Sequence, residues 1–222
     1  MEKFNVAEKF VSINGEGTKA GQTAVFIRFK GCNLSCEYCD TKWASEKNTP
    51  FTEMTADEIY SYIKSTGIKN VTITGGEPLF QKNIKSLLEV IAKDKELSCE
   101  IETNGSINLK SFLDIENRPS FTMDYKLSAS GMEEFMNCGN FEVLDKKDTV
   151  KFVAGSIKDI EKAKEIIDKY KLCGKTNIYI SPVFGSIEPS EIVEYMIENK
   201  MNNVNLQLQL HKIIWDPDKR GV

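Results

Sequence analysis

Short runs rich in Val, Ile, Phe and Tyr recur along the chain, at Thr23 to Phe29, Asn70 to Thr74, Ser98 to Glu102, Phe121 to Tyr125, Val150 to Ala154, Asn177 to Ser181 and Asn203 to Leu210. Each reads as a strand. Between them lie stretches with helical periodicity: Thr55 to Thr66 opens with a T-x-x-E capping box, and Ser156 to Leu172 sets Ile157, Ile160, Ala163, Ile166 and Ile167 on one face. Strand and helix alternate from about residue 70 onward. Parallel strands need crossover connections that also cover the sheet, so the alternation predicts an α/β fold with helices outside a mostly parallel sheet. A closed eight-stranded barrel takes about 250 residues. Six or seven strands in 222 residues therefore predict an incomplete, partial parallel β/α barrel. No internal repeat or Pro/Gly/Ser linker divides the chain, and a single domain over 1–222 is expected.

Composition changes this picture little. With 41% hydrophobic and 28% charged residues the chain can bury one sizeable core. Its net charge of -4 is spread over mixed Lys and Glu, with no run of like charges, so a nucleic-acid partner is not expected. No apolar stretch approaches the roughly 20 residues that span a bilayer, and Met1 to Phe10 is charged and polar. A cytoplasmic protein without membrane contact is the expectation.

In sheets of this kind the working site lies beyond the C-terminal strand ends. Unusual residues gather there: Gly31 and Cys32 after the first predicted strand, Gly75-Gly76 after the second, Thr103-Asn104-Gly105 after the third and Lys126 after the fourth. Cys32, Cys36 and Cys39 form a C-x3-C-x2-C loop, while Cys99, Cys138 and Cys173 are scattered and carry no assigned role. Three crowded thiolates suit an iron-sulfur cubane with one iron left open. They also suit structural zinc, if a fourth ligand folds back from a distance.

The cysteine loop, with Gly75-Gly76-Glu77-Pro78 following in order, resembles the radical S-adenosylmethionine superfamily. That resemblance implies a [4Fe-4S] cluster on Cys32, Cys36 and Cys39, with S-adenosylmethionine chelating the open iron and yielding a 5'-deoxyadenosyl radical. It also implies that Gly75 and Gly76 let backbone approach the methionine end of the cofactor, whose ammonium Glu77 or nearby carbonyls receive. Ile13-Asn14-Gly15-Glu16-Gly17, Asp40-Thr41 after the cysteines and the ending Trp215 to Val222 narrow the match. Over nearly its whole length the chain resembles the 7-carboxy-7-deazaguanine synthase family.

This second resemblance implies conversion of 6-carboxy-5,6,7,8-tetrahydropterin to 7-carboxy-7-deazaguanine with loss of ammonia, toward queuosine and other deazapurines. It implies Mg2+ at Thr41, an electron donor such as flavodoxin or ferredoxin, and a homodimer. No side chain is expected to act as a catalytic acid, base or nucleophile, since the cofactor carries the chemistry. Cofactor contacts fall on Tyr38, Cys39, Asp40, Gly75, Gly76, Glu77, Glu102, Asp124, Tyr125 and Lys126. Substrate contacts fall on Ile13, Asn14, Gly15, Glu16, Arg28, Thr74, His211 and Val222, with residues 1–22 as a substrate-loop segment and 211–222 as a closing segment. A guanidinium at Arg28 suits a planar carboxylate, and Glu16 suits pterin N–H groups.

Two positions depart from the family pattern: Asn14 stands where many members carry Gln, and Asp124-Tyr125-Lys126 where many carry Ser-Pro-Lys. The rival readings are another small radical enzyme, such as an activase that installs a glycyl radical on a protein, and a non-enzymatic electron carrier or zinc-stabilised module.

Overall fold

The computed structural model describes residues 2–217 and 219–222. Among them one sheet is formed by β1 (Lys3–Ile13), β2 (Thr23–Phe29), β3 (Thr52–Thr55), β4 (Asn70–Gly75), β5 (Ser98–Thr103), β6 (Ser120–Tyr125), β7 (Thr149–Ala154), β8 (Asn177–Pro182) and β9 (Asn205–Leu206). The strand order is β3-β1-β2-β4-β5-β6-β7-β8-β9. β2 and β4 through β9 run parallel, as the alternation predicts, and β1 and β3 add an antiparallel edge. β3 and β9 end the sheet without meeting, which makes it an incomplete barrel.

Alternation along the strands divides the sheet into two unlike faces. Val25, Ile27 and Phe29 of β2, Val71 and Ile73 of β4, Ile101 of β5, Phe121 and Met123 of β6, Val150 and Phe152 of β7 and Ile178 and Ile180 of β8 all belong to one buried apolar core. The helices α1 (Ala56–Ser65), α2 (Ile84–Ala92), α3 (Ile157–Lys169) and α4 (Pro189–Glu198) supply its other half, through Ile59, Leu87, Leu88, Ile160, Ile167 and Ile192. Each such side chain contributes roughly 1.5–3 kcal/mol by leaving water. The intervening strand positions face the other way and are mostly polar, with Arg28, Thr72, Thr74, Glu100, Glu102, Thr122, Asp124 and Lys151 beside the apolar Phe26 and Val153. The barrel interior is thus a charged surface, and the apolar core lies outside it.

α1 begins as its sequence predicts, with the Thr55 hydroxyl accepting from the Glu58 amide and the Glu58 carboxylate accepting from the Thr55 amide. In α3, Ile160, Ala163, Ile166 and Ile167 are buried, but Ile157 at the first turn is exposed. β1 is not evident from its pattern because a bulge between Val6 and Glu8 shifts the phase. Phe4 and Val6 join the apolar core, whereas Glu8 pairs with Arg28 and Phe10 stacks on Phe26 at 4.9 Å. The last predicted strand, Asn203 to Leu210, is pared to Asn205–Leu206. Beyond it the chain turns inward, the Gln207 amide donating to the Ile180 carbonyl, and enters the short helix α5 (Leu210–Ile214).

At the N-terminal strand ends Arg118 grips Asp148 with two parallel bonds of 2.8 and 2.7 Å, and Asp148 is wholly buried. The same carboxylate accepts the Phe121 and Asp145 amides, joining the starts of β6 and β7. Arg118→Ala leaves that carboxylate buried without its counter-ion, so it is expected to lower the unfolding free energy by about 3 kcal/mol in urea titrations. A loss under about 1 kcal/mol would show that water replaces the guanidinium.

Candidate active site at the C-terminal strand ends

The cysteine loop leaves β2 through Gly31, whose amide donates to the Ala44 carbonyl and closes the loop at its base. Three parallel strands hold it down. Asn104, after β5, donates from its amide nitrogen to the Asn33 side chain at 3.0 Å and to the Cys32 sulfur at 3.7 Å. The Asn33 amide in turn donates to Ser106 at 2.8 Å, the Glu37 amide donates to the Ser130 carbonyl, and the Tyr38 hydroxyl reaches the Val153 carbonyl of β7 at 3.5 Å.

Burial pushes the Cys32 and Cys36 thiols up, and the neighbouring sulfurs add to the rise, against the lowering pull of Lys126 on Cys36. Three half-buried or buried thiols on one loop suit a cationic group, because a metal supplies the positive charge their thiolates lack. Among the described residues no three His, Cys, Asp or Glu side chains are gathered tightly enough to hold a single ion. A cubane spreads its sulfur ligands more widely than one zinc does and needs no such gathering. Thr41 lies beside the loop, its hydroxyl 3.7 Å from the Cys39 sulfur and 3.4 Å from the Asp40 carboxylate.

Gly75-Gly76-Glu77 has a tighter task than the sequence indicates. A Cβ on Gly75 would stand 2.6 Å from the Phe29 carbonyl oxygen, and one on Gly76 would overlap the Gly31 carbonyl. The two glycines bring the end of β4 against the backbone that launches the cysteine loop, and the Gly76 and Glu77 amides donate to the Phe29 and Gly31 carbonyls. The side chain of Glu77, expected to meet the cofactor ammonium, is instead completely buried. It accepts from the Leu79 amide at 2.9 Å, the Thr103 hydroxyl at 2.8 Å and the Asn104 amide at 2.6 Å. Burial lifts its pKa to about 7 against the pull of those three donors. Glu77 thus clamps the end of β4 to the end of β5 and orients Asn104 toward Cys32.

On the inner face the charges neutralise one another. Lys126 pairs with Asp124 at 2.8 Å and stands 6.0 Å from the Tyr38 ring. Lys151, in the middle of β7, pairs with Glu16 at 3.0 Å and Asp124 at 3.7 Å. Burial works against both lysines, yet the carboxylates hold their pKa values above the usual range. Among the described residues Asp124 keeps one buried oxygen without a hydrogen-bond partner. Glu102 shares this face and acts electrostatically on Lys151 and His211. Tyr125 does not reach the cofactor side: alternation turns its ring into the outer core, 5.7 Å from the rings of Phe141 and Phe152. Only its backbone remains for a cofactor.

The Asn14 to Gly17 loop folds into the barrel from the start of β2 and is met there by α5. The Leu210 amide donates to the Gly15 carbonyl at 3.1 Å, and the His211 ring packs so closely on Gly15 that any side chain would strike it. Burial keeps His211 below the usual imidazole range, though Glu16 opposes it. Asn14 turns inward and accepts from the Thr72 hydroxyl at 2.8 Å, so its side chain secures the loop. Ile13 ends β1 opposite Thr23, and Arg28 lies level with Thr74 while bonding Glu8 at 3.3 Å. Asp40 is 53% exposed and 3.4 Å from Lys212. Loss of hydration on its covered side raises its pKa, but Lys212, Lys151 and Arg28 together carry it below the ordinary value. Arg220 stacks over Trp43 at 4.2 Å, laying the last residues before Val222 against the segment that follows the cysteines.

Asn104 stands among the strand-end residues that the sequence marks, whereas Lys151, Glu8, Ser181 and Lys212 were not singled out from it. A lysine alternating with Val150 and Phe152 was the readable sign, because a charge inside an apolar strand must face a polar interior. A cavity of about 590 Å³ opens at the opposite end of the sheet. Its Lys19, Arg118 and Lys147 already bond Ser98, Asp148 and the Arg118 carbonyl, so it does not compete as the site.

Residues 26–124 match the Radical SAM superfamily model. A 7-carboxy-7-deazaguanine synthase of Clostridium acetobutylicum is 62% identical, with 99% of each chain covered. One of Chlorobaculum tepidum is 37% identical, over 99% of this chain and 97% of its own. The fold matches the crystal structure of QueE from Escherichia coli with a TM-score of 0.74, 24% identity and coverage of 93% and 94% of the two chains. These full-length matches set aside the activase, electron-carrier and zinc-module readings.

Glu77→Gln offers one oxygen to three converging donors and is expected to lower the unfolding free energy by about 2 kcal/mol in urea. An unchanged midpoint would remove Glu77 from its clamping role.

Proposed function

The chain belongs to the 7-carboxy-7-deazaguanine synthase family of the radical SAM superfamily, and on that premise we propose that its inner face binds 6-carboxy-5,6,7,8-tetrahydropterin for ring contraction to 7-carboxy-7-deazaguanine with loss of ammonia. The observation that carries this reading is a three-cysteine loop at the strand ends, standing over a water-poor face that offers both a guanidinium and carboxylates. When bound, a [4Fe-4S] cluster on Cys32, Cys36 and Cys39 together with S-adenosylmethionine supplies one-electron cleavage and hydrogen-atom abstraction.

The protein's own part is positioning. Arg28 receives the substrate carboxylate, exchanging its single bond to Glu8 for a paired one. Glu16, held by Lys151 and by the Ser181 hydroxyl at 3.4 Å, accepts from pterin N–H groups. Thr74 and His211 flank the ring, and the backbone of Ile13 to Gly15 supports it from below. Tyr38, Cys39, Asp40, Gly76, Glu102 and Lys126 surround the cofactor side, with Lys126 leaving the loop less negative than its thiolates alone would make it. The segment 211–222, tied down by Lys212 to Asp40 and by Arg220 on Trp43, keeps water away, and Val222 completes the cover.

Mg2+ on the Thr41 hydroxyl belongs to the same reading, since Thr41 and Asp40 offer the hard oxygen donors that ion prefers. Reduction by a flavodoxin or ferredoxin, action as a homodimer, a cytoplasmic setting and no nucleic-acid partner complete it. No described helix is long and apolar enough to cross a membrane. Queuosine and related deazapurines are the end products to which this step leads.

Protein reconstituted anaerobically with iron and sulfide, then given dithionite, S-adenosylmethionine, Mg2+ and the carboxypterin, is expected to yield 7-carboxy-7-deazaguanine by mass spectrometry. Cys36→Ala is expected to yield none. Formation of 5'-deoxyadenosine without the deazaguanine would keep the cofactor chemistry and overturn the substrate.

A further inference from the structure

Below Glu102 on the inner face of β5 lies a second carboxyl that the proposed reaction does not use. Glu100 is 4% exposed, and its oxygen stands 3.2 Å from the Thr72 hydroxyl, which also stands 2.8 Å from the Asn14 carbonyl oxygen. Thr72 is fully buried and Asn14 is 2% exposed, so water does not enter this chain of groups from the surface. A hydroxyl has one proton and cannot donate to two acceptors. With the Asn14 carbonyl oxygen engaged as it stands, all three groups are satisfied in only one protonation state. A neutral Glu100 donates to Thr72, which donates to the Asn14 carbonyl oxygen, whereas an ionised Glu100 accepts from the Thr72 hydroxyl and leaves that carbonyl oxygen without this donor.

We propose that Glu100 is a positioning residue whose neutral acid form, acting through Thr72, holds Asn14 and with it the Gly15 to Gly17 floor beneath the pterin. Burial and the charge of Glu102 lift the Glu100 pKa to about 7, against the opposing pull of Lys19, the Thr72 bond and Lys151. The neutral form therefore prevails below neutrality. Among the described residues the buried Asn14 amide nitrogen has no acceptor, which leaves the Thr72 bond to the carbonyl oxygen as the tie that holds this side chain. The floor has other ties to the same region: Gln207 donates to the Gly17 carbonyl at 3.4 Å, Lys19 bonds Ser98 at the start of β5, and Lys151 bonds Glu16. Ionising Glu100 draws the Thr72 hydroxyl away from Asn14 and so loosens the loop that carries Glu16.

This inference rests on the pterin reading, so two readouts are needed. In steady-state assays from pH 6.5 to 8.5 the wild-type KM for the carboxypterin is expected to rise about fivefold, roughly the loss of one buried hydrogen bond. Glu100→Gln, a neutral isostere with a donor for Thr72, is expected to match wild type at pH 6.5 within about twofold and to stay flat up to pH 8.5. Glu100→Val and Thr72→Val should raise KM about tenfold at every pH, with kcat changed much less. Parallel pH profiles of wild type and Glu100→Gln, or an unchanged KM in both valine variants, would overturn the proposal.

The second readout needs no substrate. Hydrogen exchange at the Gly15 to Gly17 amides should be faster in wild type than in Glu100→Gln at pH 8.5, and equal in the two at pH 6.5. If wild type makes no deazaguanine but shows this difference, the pterin reading fails and the role of Glu100 survives. Equal exchange at both pH values would overturn that role.

Discussion

Lys151 sits in the middle of a strand, with little water in reach and carboxylates on two sides. A lone ammonium in such a place would lose its proton or the strand would not form, because the cost of leaving water exceeds what packing returns. Glu16 at 3.0 Å and Asp124 at 3.7 Å make its charge tolerable, and Lys126 completes the balance at Asp124. This set of charges joins the N-terminal loop to β7 and β6 and reaches the cysteine loop through the Tyr38 ring beside Lys126. An apolar interior of the same shape could be as stable. The charged one is pre-arranged to receive a polar ligand, since its dipoles and ion pairs are already in place.

The second requirement is close approach. Gly75 and Gly76 let β4 end against the backbone of Phe29 and Gly31, and Glu77 holds the start of the next turn to Thr103 and Asn104. Asn104 then touches both Asn33 and Cys32. The position of the first cysteine is therefore set by three consecutive parallel strands, and the loop needs little rigidity of its own. A lesser constraint works at the other end of the molecule, where Arg118 and Asp148 fasten β6 to β7.

Most of the fold was legible because its strands alternate cleanly and its helices carry one apolar stripe. β1 was hidden by a bulge that moves its apolar residues from one face to the other, and β9 was overestimated because Leu208 and Leu210 belong to the inward turn and α5. The metal loop and the Gly-Gly-Glu turn were legible as residues, but their tasks were only partly so. Spacing gives no sign that Glu77 faces inward or that the Tyr125 ring joins the outer core, and both follow from strand register. The pairs Lys151–Glu16 and Arg28–Glu8 join residues 135 and 20 positions apart. Nothing local in the sequence marks such partners, although an unpaired charge inside an apolar strand marks the need for one.

The central claim is that three thiolates at these strand ends leave one iron open to S-adenosylmethionine. Electron paramagnetic resonance of the dithionite-reduced, reconstituted protein tests it most directly. The account predicts a [4Fe-4S] signal, lost in Cys36→Ala, whose g-values shift when S-adenosylmethionine is added. A signal indifferent to S-adenosylmethionine would mean that every iron is already fully ligated, and would contradict it.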